Sequence, residues 1–430
     1  MADTVQQRNA NQRPFAVDLF AGSGGLSLGF EEAGFDVAAS VEFDPVHAAV
    51  HSYNFPQTTM FCRDVRTMTG DEIRENSRIG SSEILVVFGG PPCQGISLMG
   101  KRNVEDPRNE LLLEFARVVA ELRPCYCVME NVAGLVVGKH RALLDGVVAR
   151  LEKAGYSVLS PRVLQASEYG VPQSRRRLFL IGMRKDATPA AYPPPIVTAR
   201  RIDGSSVVGE LPLGPSVSEA LFDIPNADNY EELLDSDEVT VRYGEPSAYA
   251  KRLRDVLSDA DNYASPRVCA DTLLSSSRRT NHSQTSIERF KATLPGTTES
   301  VSRFLRLHPD GISNTLRAGT ASDRGAYTAP RPIHPLYPRV ITVREAARLH
   351  GYPDWFRFHV TKWNGFREVG NSVPVFLGRA VASSVMKAAN LTPVRAETVR
   401  TGDKSLLSFS QSEAEKYFEI EEKVIPARSR

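Results

Sequence analysis

The sequence has little cysteine: five residues in 430 (Cys62, Cys93, Cys125, Cys127 and Cys269), with no Cys-x-x-Cys pair among them. That scatter excludes a disulfide scaffold, and Cys125-x-Cys127 has the wrong spacing for a common zinc site, so no metal is expected. A reducing cytoplasm fits best. Net charge is also missing. The 52 Lys and Arg against 51 Asp and Glu leave +1, so overall charge marks neither a nucleic acid nor a membrane as partner. No apolar run approaches the roughly 20 residues that cross a bilayer. The opening MADTVQQRNANQRP has no apolar core of the signal-peptide kind. A soluble protein with no membrane partner is expected. Hydrophobic residues are not scarce: 41% apolar and 24% charged is ordinary globular usage, which excludes wholesale disorder.

Residues 1–13 read as a loose tail. From Phe15 to Lys185 strand and helix patterns alternate. FAVDLF (15–20), VAASVEF (37–43), EILVVFGG (83–90), CYCVMEN (125–131) and RRLFLIG (176–182) are strand candidates. LSLGFEEAGF, ELLLEFARVVAEL (110–122) and ALLDGVVARLEKAG (142–155) are helical. Repeated β-α-β units predict an α/β fold with a mainly parallel sheet. The pattern changes near the Pro193–Pro195 run. Residues 203–261 then carry 4 basic and 14 acidic residues, and 262–338 carry 10 basic and 5 acidic. The second half could face a polyanion, or the two could be solvated surfaces. Regular structure returns at 339 with a short strand, VIT. Thr342-Val-Arg-Glu345 then reads as a capping box opening the helix REAARLH, with Gly351 suited to its C-terminal turn. Residues 375–390 form another helix, and 391–430 are charged and partly helical, with no legible chemistry.

Four motifs carry chemistry. Asp18-Leu-Phe-Ala-Gly22-Ser-Gly24-Gly25 joins a strand to a helix. Its glycines let the backbone approach a ligand beyond the strand ends, though the spacing departs from G-x-G-x-x-G. Glu42 ends the next strand, where an acid can accept from ribose hydroxyls. Asp64 follows a third apolar stretch and could meet an adenine amino group. Each acid could instead be a helix cap. Gly89-Gly90-Pro91-Pro92-Cys93-Gln94-Gly95 places a cysteine on a restricted backbone at a strand end, which suits a nucleophile. Glu130-Asn131-Val132 ends another strand, so Cys93 and Glu130 can share a cleft. In Gln173-Ser-Arg175-Arg-Arg177 the two-residue side-chain period turns Arg175 and Arg177 to one face and Arg176 away.

The ordered set DLFAGSGG, VEFD, GGPPCQG, ENV, QSRRR, ITVREAARLHGYPD and REVGNSVP resembles the cytosine-5 DNA methyltransferases, over residues 15–185 and 339–390. The resemblance implies a Rossmann-like S-adenosylmethionine-dependent methyltransferase fold with a second, smaller target-recognition domain. Catalytic residues 14–190 and 339–390 would flank a recognition domain at 191–338. S-adenosylmethionine would be the methyl donor and S-adenosylhomocysteine its product. Phe20 would stack on adenine, Gly22 and Gly24 would admit the methionine part, and Glu42 would hold the ribose. Asp64 and Val65 would flank the adenine, with Pro92, Leu111, Asn371 and Val373 completing the pocket. Cys93 would attack C6 of a flipped-out cytosine. Glu130 would bind its N3 and amino edge, Arg175 would position the base, and Arg177 would hold Arg175's neighbourhood or a phosphate. Two departures stand out: Glu368-Val369 where Gln-Ile is common, and Val375 after Pro374 where a second Pro is common.

The partner implied is double-stranded DNA, and a restriction endonuclease sharing the recognition sequence is a further candidate. A monomer is expected. The stretch Gly95–Asn109 looks like a loop that could close over DNA, with Gln94, Lys101 and Arg102 as contacts. Arg317, Arg324 and Arg331 are candidates for base or phosphate contact. A tRNA cytosine-5 methyltransferase would share the catalytic blocks, but it would not need so long a 186–338 region. A non-catalytic DNA-binding member would be expected to lack Cys93, Glu130 or the arginines, and all are present. A dinucleotide oxidoreductase would leave PPCQ and ENV without a purpose.

Overall fold

The structure, a computed structural model, describes residues 12–92, 110–205, 207–254, 258–319 and 331–420. Its centre is an eight-stranded sheet. The strands are β1 (Phe15–Leu19), β2 (Asp36–Glu42), β3 (Thr59–Cys62), β4 (Ile84–Gly89), β5 (Tyr126–Val132), β6 (Tyr156–Val158), β7 (Arg162–Gln165) and β8 (Arg176–Arg184). The order is β3-β2-β1-β4-β5-β8-β6, with β7 also on β8. Strands β1 to β5 pair in parallel. β8 runs antiparallel to β5, and β6 and β7 run antiparallel to β8. The chain winds outward from β1 to β3 and then starts again at β4 on the other side of β1. That reversal opens a crevice at the carboxyl ends of β1 and β4, where open α/β sheets bind ligands.

Helices cover both faces. On one, α1 (Gly25–Glu32) and α2 (Pro45–Asn54) follow β1 and β2. On the other lie α3 (Gly70–Glu75), α4 (Glu110–Leu122) and α5 (Arg141–Lys153). α4 buries Leu112, Phe115, Ala116, Val119 and Leu122, the three-and-four spacing of a one-sided helix. They pack with Val17, Leu19, Val87 and Leu180 of the sheet. The opposite face buries Ala16, Phe88 and Ile181 against α1, with Phe30 and Phe88 stacked at 3.7 Å.

Beyond the sheet come the short α6 (Val217–Leu221) and α7 (Ala248–Arg254), and a ribbon of β9 (Val239–Thr240) and β10 (Leu273–Leu274). α8 (Gln284–Ala292) contributes Phe290 to a small separate cluster with Ile333 and Val340. α9 (Val343–Arg348) has the expected capping box, with Thr342 and Glu345 each bonding the other's backbone. The expected strand VIT does not form: Val340 makes only an isolated bridge to Ile333. Its neighbours are drawn instead into the α9 cap and the bond from Ile341 N–H to Pro332 O.

After α10 (Lys362–Asn371), α11 (Val375–Ala388) returns to the sheet and lies on α1. Two glycines permit it: a Cβ on Gly29 would sit 2.8 Å from Arg379 N, and one on Gly378 would sit 3.1 Å from Leu26 Cδ1. The last described helix is α12 (Gln411–Tyr417). Residues 391–420, silent in sequence, wrap α2: Leu406 and Leu407 are buried against Ala49, Val50 and Tyr53. Gly402 N–H bonds Tyr53 O, and Val360 N–H bonds Leu407 O. Among the described residues no helix is long and apolar enough to cross a membrane.

Candidate active site

The glycine turn after β1 is built by its backbone. Phe20 has φ +67°, a conformation costly for a bulky residue and one that clusters at ligand sites. Gly22 and Gly24 have φ +56° and +103°. A Cβ on Gly24 would strike the Phe55 ring at 2.3 Å, whereas one on Gly22 would meet open space. Gly22 therefore leaves room for a ligand, and Gly24 makes room for the protein.

Glu42, at the end of β2, is pinned from both sides. Gly22 N–H donates to Oε2 at 2.7 Å, and Asp44 N–H donates to Oε1 at 2.8 Å. Burial raises its pKa to about 7, because the charged form loses hydration. Below the turn, Asp18 and Ser40 are register partners on β1 and β2. Ser27 donates to Asp18 Oδ2 at 2.5 Å. Asp18 Oδ1 and Ser40 Oγ are buried with no partner among the described residues. Open space at Gly22, a fixed carboxyl beside it and unspent polar atoms beneath suit a ligand bearing hydroxyls and a positive charge.

Asp64 takes the cap reading: it accepts from Arg66 N–H at 3.0 Å and pairs with the Arg66 guanidinium at 2.6 Å. Val65 is buried and its carbonyl accepts from Arg117. Leu111 packs half-buried on the α3–α5 face. From the far end of the chain, Ser372 and Val373 come within 3 Å of where a Gly25 Cβ would sit, and Asn371 beside them is exposed.

The second half of the crevice lies at the ends of β4 and β5. Asn131 Nδ2 donates to Pro91 O at 3.0 Å, which fixes the chain at Pro91. Cys93, Gln94, Lys101 and Arg102 lie outside the described residues, as does Arg324. Glu130 reaches toward Gly90, whose Cβ would lie 3.0 Å from Oε2. Arg177 Nε meets Glu130 Oε1 at 2.8 Å. Burial pushes the Glu130 pKa up against the pull of Arg177 and Arg175. The other cysteines offer no rival nucleophile in this crevice. Cys62, Cys125 and Cys127 are buried, and burial pushes the Cys127 thiol up to about 12. Cys269 is exposed as a residue, and its thiol pKa is raised by partial desolvation with Asp354 and Asp271 adding to it.

The alternation over Arg175–Arg177 is present: Arg176 is exposed between two inward neighbours. The two inward arginines differ, however. Arg177 faces Glu130, while Arg175 is 1% exposed and its two terminal nitrogens are spent on carbonyls. Nη1 donates to Leu316 O at 2.7 Å, and Nη2 donates to Gly370 O at 2.7 Å and Ser372 O at 2.8 Å. Sequence reasoning missed this because all three carbonyls are remote in the chain. Of the recognition candidates, Arg317 is exposed. Arg331 lies over the Phe366 ring at 4.4 Å, with its pKa lowered to about 10 by burial. The departure at Glu368 has a physical reading. Burial raises its pKa to about 8, so near neutrality it is a protonated carboxyl, close in shape and charge to the glutamine expected there.

A mainly parallel sheet with a fixed carboxyl at the end of β2 and a Glu130–Arg177 pair at the end of β5 has the layout of an α/β enzyme whose ligand sits at the strand ends. The family model for C-5 cytosine-specific DNA methylases matches residues 16–387, and the chain belongs to that family of DNA cytosine-5 methyltransferases. It is similar to the Type II methyltransferase M.XorII of Xanthomonas oryzae pv. oryzae, 50% identical over 97% of this chain and 95% of that one. M.AgeI of Thalassovita gelatinovora is 29% identical over 86% and 99%. Among solved structures, a DNA modification methyltransferase encoded within an E. coli prophage is 32% identical with a TM-score of 0.70, covering 88% of this chain and 99% of that one. The S. pombe Dnmt2 methyltransferase, at 17% identity and TM-score 0.51 over 88% and 100%, shares the fold.

Proposed function

We propose that this chain methylates C5 of one cytosine in a short duplex sequence, using S-adenosylmethionine and a covalent Cys93 adduct. The observation that supports it most is the Glu130–Arg177 pair at the end of β5, next to the Asn131–Pro91 bond, together with the Gly22–Glu42 contact at the ends of β1 and β2. We read residues 14–190 and 339–390 as one catalytic unit and 191–338 as the target-recognition domain. Relatives named as Type II methyltransferases favour a role in protecting host DNA from a restriction endonuclease of the same specificity. The protein would act as a cytoplasmic monomer, since one flipped base needs one site.

The pocket residues fit the cofactor. Glu42 would accept from the ribose hydroxyls, Gly22 would admit the methionine part with Gly24 shaping the turn beside it, and Phe20, Asp64, Val65, Pro92, Leu111, Asn371 and Val373 would surround the rest. When bound, S-adenosylmethionine supplies an electrophilic methyl group. The protein's own task is to make C5 nucleophilic. A cytosine within the stack hides C6, so the base must be turned out, at a cost of a few kcal/mol. The Cys93 thiolate adds to C6, the ring loses aromaticity, and electron density moves to C5. Glu130 would hydrogen-bond N3 and the amino group, supporting the proton that the intermediate carries there. Arg177 holds Glu130 in place and would meet the base's oxygen edge. After transfer, loss of the C5 proton expels Cys93.

A duplex carrying 5-fluorocytosine tests the adduct, because fluorine cannot leave as a proton does. The wild type should form a denaturant-resistant protein–DNA complex, and Cys93→Ala should not. A complex formed equally by Cys93→Ala would reject the assignment.

A further inference from the structure

Arg175 belongs to a buried network, in which its Nη1 and Nη2 are bonded and its Nε has no partner among the described residues. Besides its carbonyl bonds to Leu316, Gly370 and Ser372, the neighbouring Gln173 accepts from Leu316 N–H at 3.1 Å. The Gln173 amide donates to Leu349 O at 3.1 Å and to His350 Nδ1 at 2.9 Å. His350 Nε2 lies 3.1 Å from Ser372 O. A carbonyl can only accept, so Nε2 carries the proton and Nδ1 takes the Gln173 bond. Every polar atom of Gln173 and both ring nitrogens of His350 are thereby used.

The network joins three pieces of chain. One is the lead-in to β8, which carries Arg177. The second is the segment around Leu316, whose backbone pairs with Gln173 through Ser313; Ser174 N–H also donates to Ser313 O at 2.7 Å. The third is the loop at 370–373 that borders the cofactor crevice. Gly370 is a glycine because the segment lies on it: a Cβ there would be 2.3 Å from Ala318 N. The segment is thus clasped between the catalytic strand and the cofactor loop. It carries the exposed Arg317 on its outer side.

We infer that Arg175 is a positioning residue that couples DNA recognition to cofactor binding, by tying the Leu316 segment and the 370–373 loop to one guanidinium. This rests on the methyltransferase reading above. A recognition segment seated by DNA holds Leu316 O on Arg175, which keeps the same guanidinium aligned on Gly370 O and Ser372 O. A segment displaced from its seat takes one carbonyl from a buried cation, which the remaining two must then compensate. Linkage makes the effect reciprocal: bound cofactor tightens DNA by the factor with which DNA tightens cofactor.

The test titrates S-adenosylhomocysteine calorimetrically into the full chain, with and without a duplex bearing the sequence that the wild type methylates. The ratio of the two dissociation constants is the readout. The wild type should show DNA tightening the cofactor product by roughly fivefold or more. Arg175→Met should bring the ratio near one while the cofactor product still binds. Arg175→Lys, which cannot span three carbonyls, should fall between. His350→Phe keeps a ring of similar size and loses both ring bonds; it serves if Arg175→Met does not fold, and it too should lower the ratio. Arg267→Met, which removes a buried arginine from the Glu31 end of α1, should lower stability and keep the ratio. A merely structural Arg175 would behave like Arg267. A wild-type ratio of one, or a full ratio in Arg175→Met or His350→Phe, overturns the coupling and leaves the methyltransferase reading intact. Failure of the wild type to bind the cofactor product at all overturns both.

Discussion

Glu42 offers a prediction whose size comes from its surroundings. Its carboxyl is half-buried, held by the N–H groups of Gly22 and Asp44, and desolvation raises its pKa to about 7. The groups around it pull in opposite senses: Asp44 raises its pKa and Arg367 lowers it, while His47 stands 4.0 Å away and is kept neutral by burial. A ribose diol presents two donors, so it selects the ionised carboxylate. Affinity should then follow the ionised fraction, about a tenth at pH 6 and about nine-tenths at pH 8, so binding strengthens roughly tenfold as pH rises, about 1.4 kcal/mol. Glu42→Gln removes the titration. Its amide nitrogen cannot accept, so one of the two backbone N–H groups loses its partner and the diol loses a charged acceptor. That loss amounts to about 1.5–3 kcal/mol, or roughly 10- to 150-fold in affinity. Titration of S-adenosylhomocysteine from pH 6 to 8 by calorimetry measures both. Wild-type affinity that is flat or falls with pH, or a Gln variant that binds as well as the wild type at pH 8, would refute the ribose role.

Further predictions follow from other buried groups. Glu130→Gln should cut turnover by roughly 10²–10⁴, the scale of general acid–base assistance, with DNA affinity little changed; a single-turnover assay checks it. Glu368 has its pKa raised to about 8 from an ordinary 4.5, so the folded state holds a proton that the unfolded state releases. Its stabilising share is complete below pH 4.5 and is lost as pH rises through about 8. Urea melts should show Glu368→Gln gaining on the wild type between pH 5 and 8.5, and equal pH dependence would discount the protonated carboxyl. Leu407 is fully buried against α2, so Leu407→Ala should cost about 2–5 kcal/mol in the same melts. A loss below ~0.5 kcal/mol would mean that the C-terminal wrap is loose.

Local signals were legible and remote ones were not. α4 occupies the 110–122 span read from its apolar spacing, and the Thr342–Glu345 box caps α9, because caps and periodicity are settled within a few residues. The antiparallel entry of β8 between β5 and β6 leaves no such mark, since pairing direction depends on partners far along the chain. Burial of Arg344 and Arg348 was equally hidden. Their partners Ser275 and Asp223 lie 69 and 125 positions away. In the site, Glu42, Glu130 and the glycine turn could be named from strand ends and glycine spacing. The contrast between Arg175 and Arg177 could not, because side-chain alternation says which residues share a face and nothing of what stands opposite each. The C-terminal wrap was illegible for a similar reason: Leu406 and Leu407 are an unremarkable pair until α2 is placed beneath them.

The most direct measurement is methyl transfer from labelled S-adenosylmethionine to unmodified genomic DNA by wild type and Cys93→Ser, with bisulfite sequencing of the product. The account predicts 5-methylcytosine at one recurring short sequence with the wild type and none with the variant. Methylation by the variant at the wild-type level, or label appearing on adenine or on cytosine N4, would contradict it.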